Sequence, residues 1–145
     1  MNKTNEIAGE EKKVLDELSD ACLNKGSLDP IQLRAAKNSL QVLIENAIGK
    51  GKQILKHYNC PVVPIRGRDV FNFMHEMGLI SRETYTALIK AVGLRNAMIH
   101  DYMDFDNEIL ARVLKEKAYS AIHEFLTEEP SYNDTLKRRI ENFNI

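Results

Sequence analysis

Apolar residues recur at steps of three and four along most of the chain, a periodicity that predicts helices rather than strands. From about Ile7 to Asn24, Val14, Leu15, Leu18, Ala21 and Cys22 share one helical face, and Lys25-Gly26-Ser27 closes the segment, with Gly26 suited to a C-terminal cap. Asp29-Pro30 then opens a second helix, Asp29 as N-cap and Pro30 in the first helical position. Its stripe is Leu33, Ala36, Leu40, Leu43, Ala47 and Ile54, widened by Val42, Ile44, Ile48 and Leu55. Continuous to about Tyr58, it would be roughly 45 Å long, with Gly49 and Gly51 as places where it can bend. A helix of that length in a small domain has apolar surface to share, and a partner helix from a second chain is one way to cover it.

Cys60-Pro61-Val62-Val63-Pro64-Ile65-Arg66-Gly67-Arg68 reads as a loop, because two prolines and a glycine oppose a regular helix. A short helix follows from Asp69 to Met77, with Val70, Phe73, Met74 and Met77 inward and Gly78 as its stop. Ser81 caps a fourth, in which Tyr85, Leu88, Ile89, Val92, Met98 and Ile99 face inward. Asp106 caps the last long helix, whose stripe runs through Ile109, Leu110, Val113, Leu114, Ala118, Ala121, Ile122, Phe125 and Leu126 to a stop at Glu128-Glu129-Pro130. The tail from Ser131 to Ile145 can add a turn or two through Leu136, Ile140 and Phe143. The fold class is all-α, a bundle of about five helices, with the whole chain 1–145 as one domain.

Composition narrows the function classes. With 145 residues, 43% hydrophobic and 28% charged, the chain can bury one core. Its net charge of −1 provides no global basic field, so any nucleic-acid contact must come from a local patch or one assembled across two subunits. Cys22 and Cys60 have neither the spacing of a zinc site nor a CxxC, and are expected to be small buried residues. The first residues, Met1-Asn2-Lys3-Thr4-Asn5-Glu6, lack the apolar run of a signal peptide, and no stretch is long and apolar enough for a membrane span. A cytoplasmic protein without membrane contact is expected.

The chemistry concentrates in Arg95-Asn96-Ala97-Met98-Ile99-His100-Asp101-Tyr102. On an ideal helix Asn96 and His100 lie one turn apart on the same side, Arg95 and Tyr102 are nearly eclipsed two turns apart, and Arg95 and His100 diverge by about 140°. Such a pair straddles a groove, and a second copy of the helix about a two-fold axis would gather two Arg and two His in one cleft. The bland alternative is a capped helix end, with Arg95 paired to Glu76, Asp101 or Asp104 and Tyr102 packed with a wet hydroxyl.

This stretch resembles the Arg-X4-His-X-Tyr signature of the HepT-like toxins, a branch of the HEPN superfamily. The likeness runs from about Asp29 to Leu126 and takes in the long second helix, Glu76-Met77-Gly78-Leu79-Ile80 and Gly93-Leu94; residues 1–28 and the tail 131–145 carry little of it. The resemblance implies a HEPN-type helical bundle acting as a two-fold homodimer. It further implies the toxin of a type II/VII-like toxin–antitoxin system: a metal-independent endoribonuclease without cofactor, neutralised by a minimal nucleotidyltransferase (MNT-type) antitoxin. Arg95 and His100 would be the catalytic pair, Asn96 would orient the imidazole or the phosphate, and Tyr102 would be the candidate acceptor of AMP. The chemistry suits these roles: histidine moves protons near neutrality, and arginine holds a phosphate through two parallel hydrogen bonds. Products would be a 2′,3′-cyclic phosphate and a 5′-hydroxyl.

Two other functions use the same residues differently. A non-catalytic helical dimer could exist to bind, and be modified by, a nucleotidyltransferase; a nucleotide-binding module would need Arg95 but not His100. Elsewhere His57, His75 and His123 share no metal spacing, and Met74, Met77 and Met98 are expected to fill core. Arg66 and Arg68 can add phosphate contacts, but a solvated loop is the default expectation, as a solvated face is for Lys137-Arg138-Arg139.

Overall fold

The computed structural model describes residues 3–101, 104–129 and 134–142. Among the described residues there are seven helices and no strand: α1 (Lys3–Lys25), α2 (Pro30–His57), α3 (Gly67–Glu76), α4 (Arg82–His100), α5 (Asn107–Lys115), α6 (Ser120–Thr127) and α7 (Asp134–Glu141). The all-α expectation holds. None of these helices is long and apolar enough to cross a membrane.

Helix α2 is the spine. Its 28 residues span roughly 42 Å at 1.5 Å per residue, and it packs against α1, α5 and α6 as well as α3 and α4. Its start is the predicted one: the Asp29 carboxylate accepts from the Gln32 N–H at 2.8 Å while Gln32 Oε1 accepts from the Asp29 N–H at 3.1 Å, a reciprocal capping box. Ala36, Leu40, Leu43, Ala47 and Ile54 are buried, as their spacing predicts. Gly51 is a close approach: a Cβ there would stand 2.8 Å from Val70 Cγ1 and 3.2 Å from Met74 Sδ. The missing side chain lets α3 lie directly on α2. At Gly49 a Cβ would meet nothing within 4 Å.

Three expectations need correction. First, the loop after Cys60 is shorter than the prolines suggest. α3 begins at Gly67, two residues early, because Gly67 packs against Ile48, whose Cδ1 would lie 2.6 Å from a Cβ. Second, the last long helix is broken. Lys117 takes a left-handed φ of 52°, and the Ala118 N–H returns to the Val113 carbonyl at 3.1 Å. Left-handed backbone costs a non-glycine residue about 1–2 kcal/mol. Here it is offset by full burial of Tyr119, whose hydroxyl donates to Asp16 Oδ1 at 2.6 Å, and by the buried Ser19 hydroxyl, which donates to the Leu114 carbonyl at 2.7 Å. Both partners come from α1, so periodicity within the segment could not reveal the break. Third, Val14, Ile99, Ile109 and Ala118, expected inward, are exposed.

The remaining core follows the stripes. Met74, Met77 and Met98 are buried, as is Cys22, while Cys60 is only half-buried with its thiol donating to the Val62 carbonyl at 3.0 Å. Lys50 turns inward from α2 and donates to the Phe125, Leu126 and Glu128 carbonyls, capping the C-terminal end of α6. In α7, Ile140 is fully buried.

Candidate functional site

Three elements converge on one cleft of about 790 Å³. From α2 come Glu45, Ile48, Gly49 and Lys52, spaced at three and four so that they share a face. The loop and first turn of α3 supply Ile65, Arg66, Gly67, Arg68 and Asp69. From α4 come Val92, Arg95, Asn96 and His100; Val92, Asn96 and His100 form a single i, i+4 row. Arg95 and His100 therefore border the same cleft within one chain.

The Arg95 side chain is clamped from two sides. Its Nε and Nη2 both donate to Glu45 Oε1, at 3.2 and 2.9 Å, and its Nη1 donates to Asn96 Oδ1 at 3.1 Å. A guanidinium has five N–H groups. Three are engaged among the described residues, which leaves one on each Nη, the number a bidentate phosphate contact requires. The partner is none of those considered from sequence: Glu45 lies 50 residues away on α2. Only its place on the same face as Lys52, seven residues on, hints at it, and that signal does not select it from other exposed carboxylates. His100 is exposed at the end of α4, and Asp101 follows it as C-cap. Tyr102 lies outside the described residues.

Arg66 and Arg68, expected to be solvated, are exposed but border this cleft, as does Lys52, which sequence reasoning did not single out. The other histidines lie elsewhere. His75 stacks on Tyr85 at 4.2 Å between centroids, with the Tyr85 hydroxyl donating to Asn72. His57 meets Tyr58 edge-on, and burial, followed by the Lys12 charge, pushes the His123 imidazole below its ordinary range. Among the described residues no three of His, Cys, Asp or Glu gather as a metal site would.

The profile of the family described as "Ribonuclease HepT-like" matches residues 8–129. The chain belongs to the HepT-like family. The match includes most of α1, which the motif-based resemblance did not reach. Two solved structures share the fold of this HepT-like chain. One, described as a toxin–antitoxin with AMP-PNP, is 22% identical with a TM-score of 0.73, over 87% of this chain and 97% of that one. The other, a tri-AMPylated Shewanella oneidensis HEPN toxin in complex with MNT antitoxin, is 23% identical with a TM-score of 0.68, over 87% and 96%. No curated protein matches the chain.

Proposed function

We propose that this HepT-like chain is the toxin of a toxin–antitoxin pair and cleaves RNA without a metal at the cleft bordered by Arg95, Asn96 and His100. The observation that carries this reading is the clamped Arg95: among the described residues two of its N–H groups are unspent, beside a cleft that also holds the one histidine of the motif. In the reaction the 2′-oxygen forms a bond to phosphorus while the bond from phosphorus to the 5′-oxygen breaks. His100 takes the 2′-hydroxyl proton and returns it to the departing 5′-oxygen. Arg95 stabilises the charge building on the phosphoryl oxygens, and Asn96 holds the guanidinium. The products are a 2′,3′-cyclic phosphate and a 5′-hydroxyl.

The functional unit we propose is a homodimer, with the whole chain as one domain in the cytoplasm. A mainly apolar groove of about 690 Å³ between α4 and α5–α6, bordered by Ala87, Leu94, Ala97 and Ile109, supplies surface suited to a second copy. The partner that neutralises it is an MNT-type nucleotidyltransferase, as in the Shewanella complex, and Tyr102, two residues after His100, is the acceptor of AMP. An added phosphate there would repel an RNA phosphate and crowd the cleft.

The deciding experiment compares His100→Ala with the unchanged protein on end-labelled RNA in the presence of EDTA. His100 is exposed, so the variant should keep its fold, while cleavage falls by about 10²–10⁴. Undiminished cleavage by the variant rejects the ribonuclease assignment. Intact mass after co-expression with the nucleotidyltransferase tests Tyr102: AMP units should appear on the unchanged chain and vanish in Tyr102→Phe.

A further inference from the structure

The cleft is larger than Arg95 and His100 require. Its volume of about 790 Å³ lies high in the range of about 300–1,000 Å³ that takes whole drug-sized ligands, and a single phosphodiester would fill only part of it. The wall that α2 and the start of α3 supply is basic. Lys52, Arg66 and Arg68 come from α2 and the start of α3, and among the described residues no carboxylate forms an ion pair with any of them. Two carboxylates border the cleft; Glu45 is engaged with Arg95, leaving only Asp69 beside three cations. This local excess of positive charge belongs to a chain whose net charge is −1. The wall is also held in place: Gly67 sits tightly on Ile48, and the Val70 N–H bonds the Arg66 carbonyl at 3.0 Å, so Arg66 and Arg68 flank a packed helix start.

We propose that Lys52, Arg66 and Arg68 form a second phosphate subsite, which holds a phosphodiester neighbouring the scissile one in a single RNA strand. This rests on the RNA-cleaving reading above and adds to it: the chain grips two phosphates from two walls, α4 for the bond that breaks and α2–α3 for the strand beside it. Phosphate contacts of this kind position a strand without reading its bases, so the subsite fixes register rather than sequence.

The test uses the full chain and a fluorescent hexaribonucleotide carrying 2′-O-methyl at every position, which cannot be cleaved by its own 2′-oxygen. Binding is followed by anisotropy across a salt series for three proteins: unchanged, Arg66→Ala/Arg68→Ala, and Arg34→Ala/Lys56→Ala. The last removes the same charge from sites that do not border the cleft. The Arg66/Arg68 variant should bind on the order of tenfold more weakly. The slope of log K against log salt should shrink by about 0.7 for each phosphate that is no longer neutralised. The control pair should retain most of the affinity and slope.

Equal losses in both variants would reduce the effect to overall charge and overturn the subsite. So would an unchanged slope in the Arg66/Arg68 variant. Displacement of the hexamer by ATP at equal phosphate concentration, with relief of that displacement in the Arg66/Arg68 variant only, would assign the wall to a free polyphosphate and also overturn the strand reading. Because the probe is not cleaved, absence of ribonuclease activity leaves this measurement intact and counts against the catalytic assignment alone.

Discussion

Among the polar networks that link distant helices in the described residues, two end differently. In one, Tyr119 donates to Asp16 at 2.6 Å, Lys12 donates to the other carboxylate oxygen at 2.8 Å, and Ser19 closes the end of α5. The ring of Tyr119 is fully buried, and its single O–H is spent inside the protein. In the other, Arg95 is held by Glu45 and Asn96, yet among the described residues two of its five N–H groups remain unspent beside a cleft. Residue type alone does not separate the two networks, since each joins a carboxylate to a polar side chain far away in sequence. What separates them is surplus donor capacity facing space. The first network sets where a helix breaks; the second holds a cation ready for an anion.

Substitutions can break this contrast, beginning with the largest effect. Glu45→Ala should lower RNA cleavage by about ten- to a hundredfold through misplacement of Arg95, while stability changes by no more than about 1 kcal/mol, because the pair is partly exposed. Glu45→Gln should restore most of the rate, since an amide oxygen can still accept from Nε and Nη2. A rate equally poor in both would mean that the carboxylate charge, rather than its hold on Arg95, is what matters. Urea titration of Tyr119→Phe should show a loss of about 1–1.5 kcal/mol with cleavage per folded molecule unchanged; a matching loss of activity would show that the two networks are coupled through α2.

The smallest effect is a pH dependence. Hydrogen bonding from Lys12, then from Tyr119, holds the Asp16 carboxyl below its usual range. A lowered folded value means that the ionised form favours the native state. That contribution is complete above the ordinary carboxylate pKa of about 3.9 and is lost as pH falls through the lower folded value. The stability gap between the unchanged protein and Asp16→Asn should therefore be flat from neutrality to about pH 5, at about 1 kcal/mol or less, and close in stronger acid. A gap that persists undiminished at pH 2 would assign the role of Asp16 to shape alone.

Much of the architecture was legible because it is local. Asp29-Pro30 with Gln32 determines the start of α2, Ser81 and Asp106 cap α4 and α5, and Gly26 and Gly78 take the positive φ of helix ends, all within one turn of their partners. The Arg95, Asn96 and His100 cluster was legible for the same reason: a helix fixes the relation of residues one turn apart. The break at Lys117 was not, because it depends on Asp16 and Ser19, roughly a hundred residues upstream. Nor were Glu45 as the partner of Arg95, the turn of Lys50 into the end of α6, or the approach of Arg66 and Arg68 to the motif. Sequence by itself determined the helices, their caps and the motif row on α4, since these follow from dihedral preference and the 3.6-residue period. Tertiary structure alone decided which helix faces meet, and so whether Arg95 has donors to spare and what charge surrounds them. Those outcomes depend on close packing at positions such as Gly51 and Gly67, where the absence of a single Cβ lets one helix lie against another.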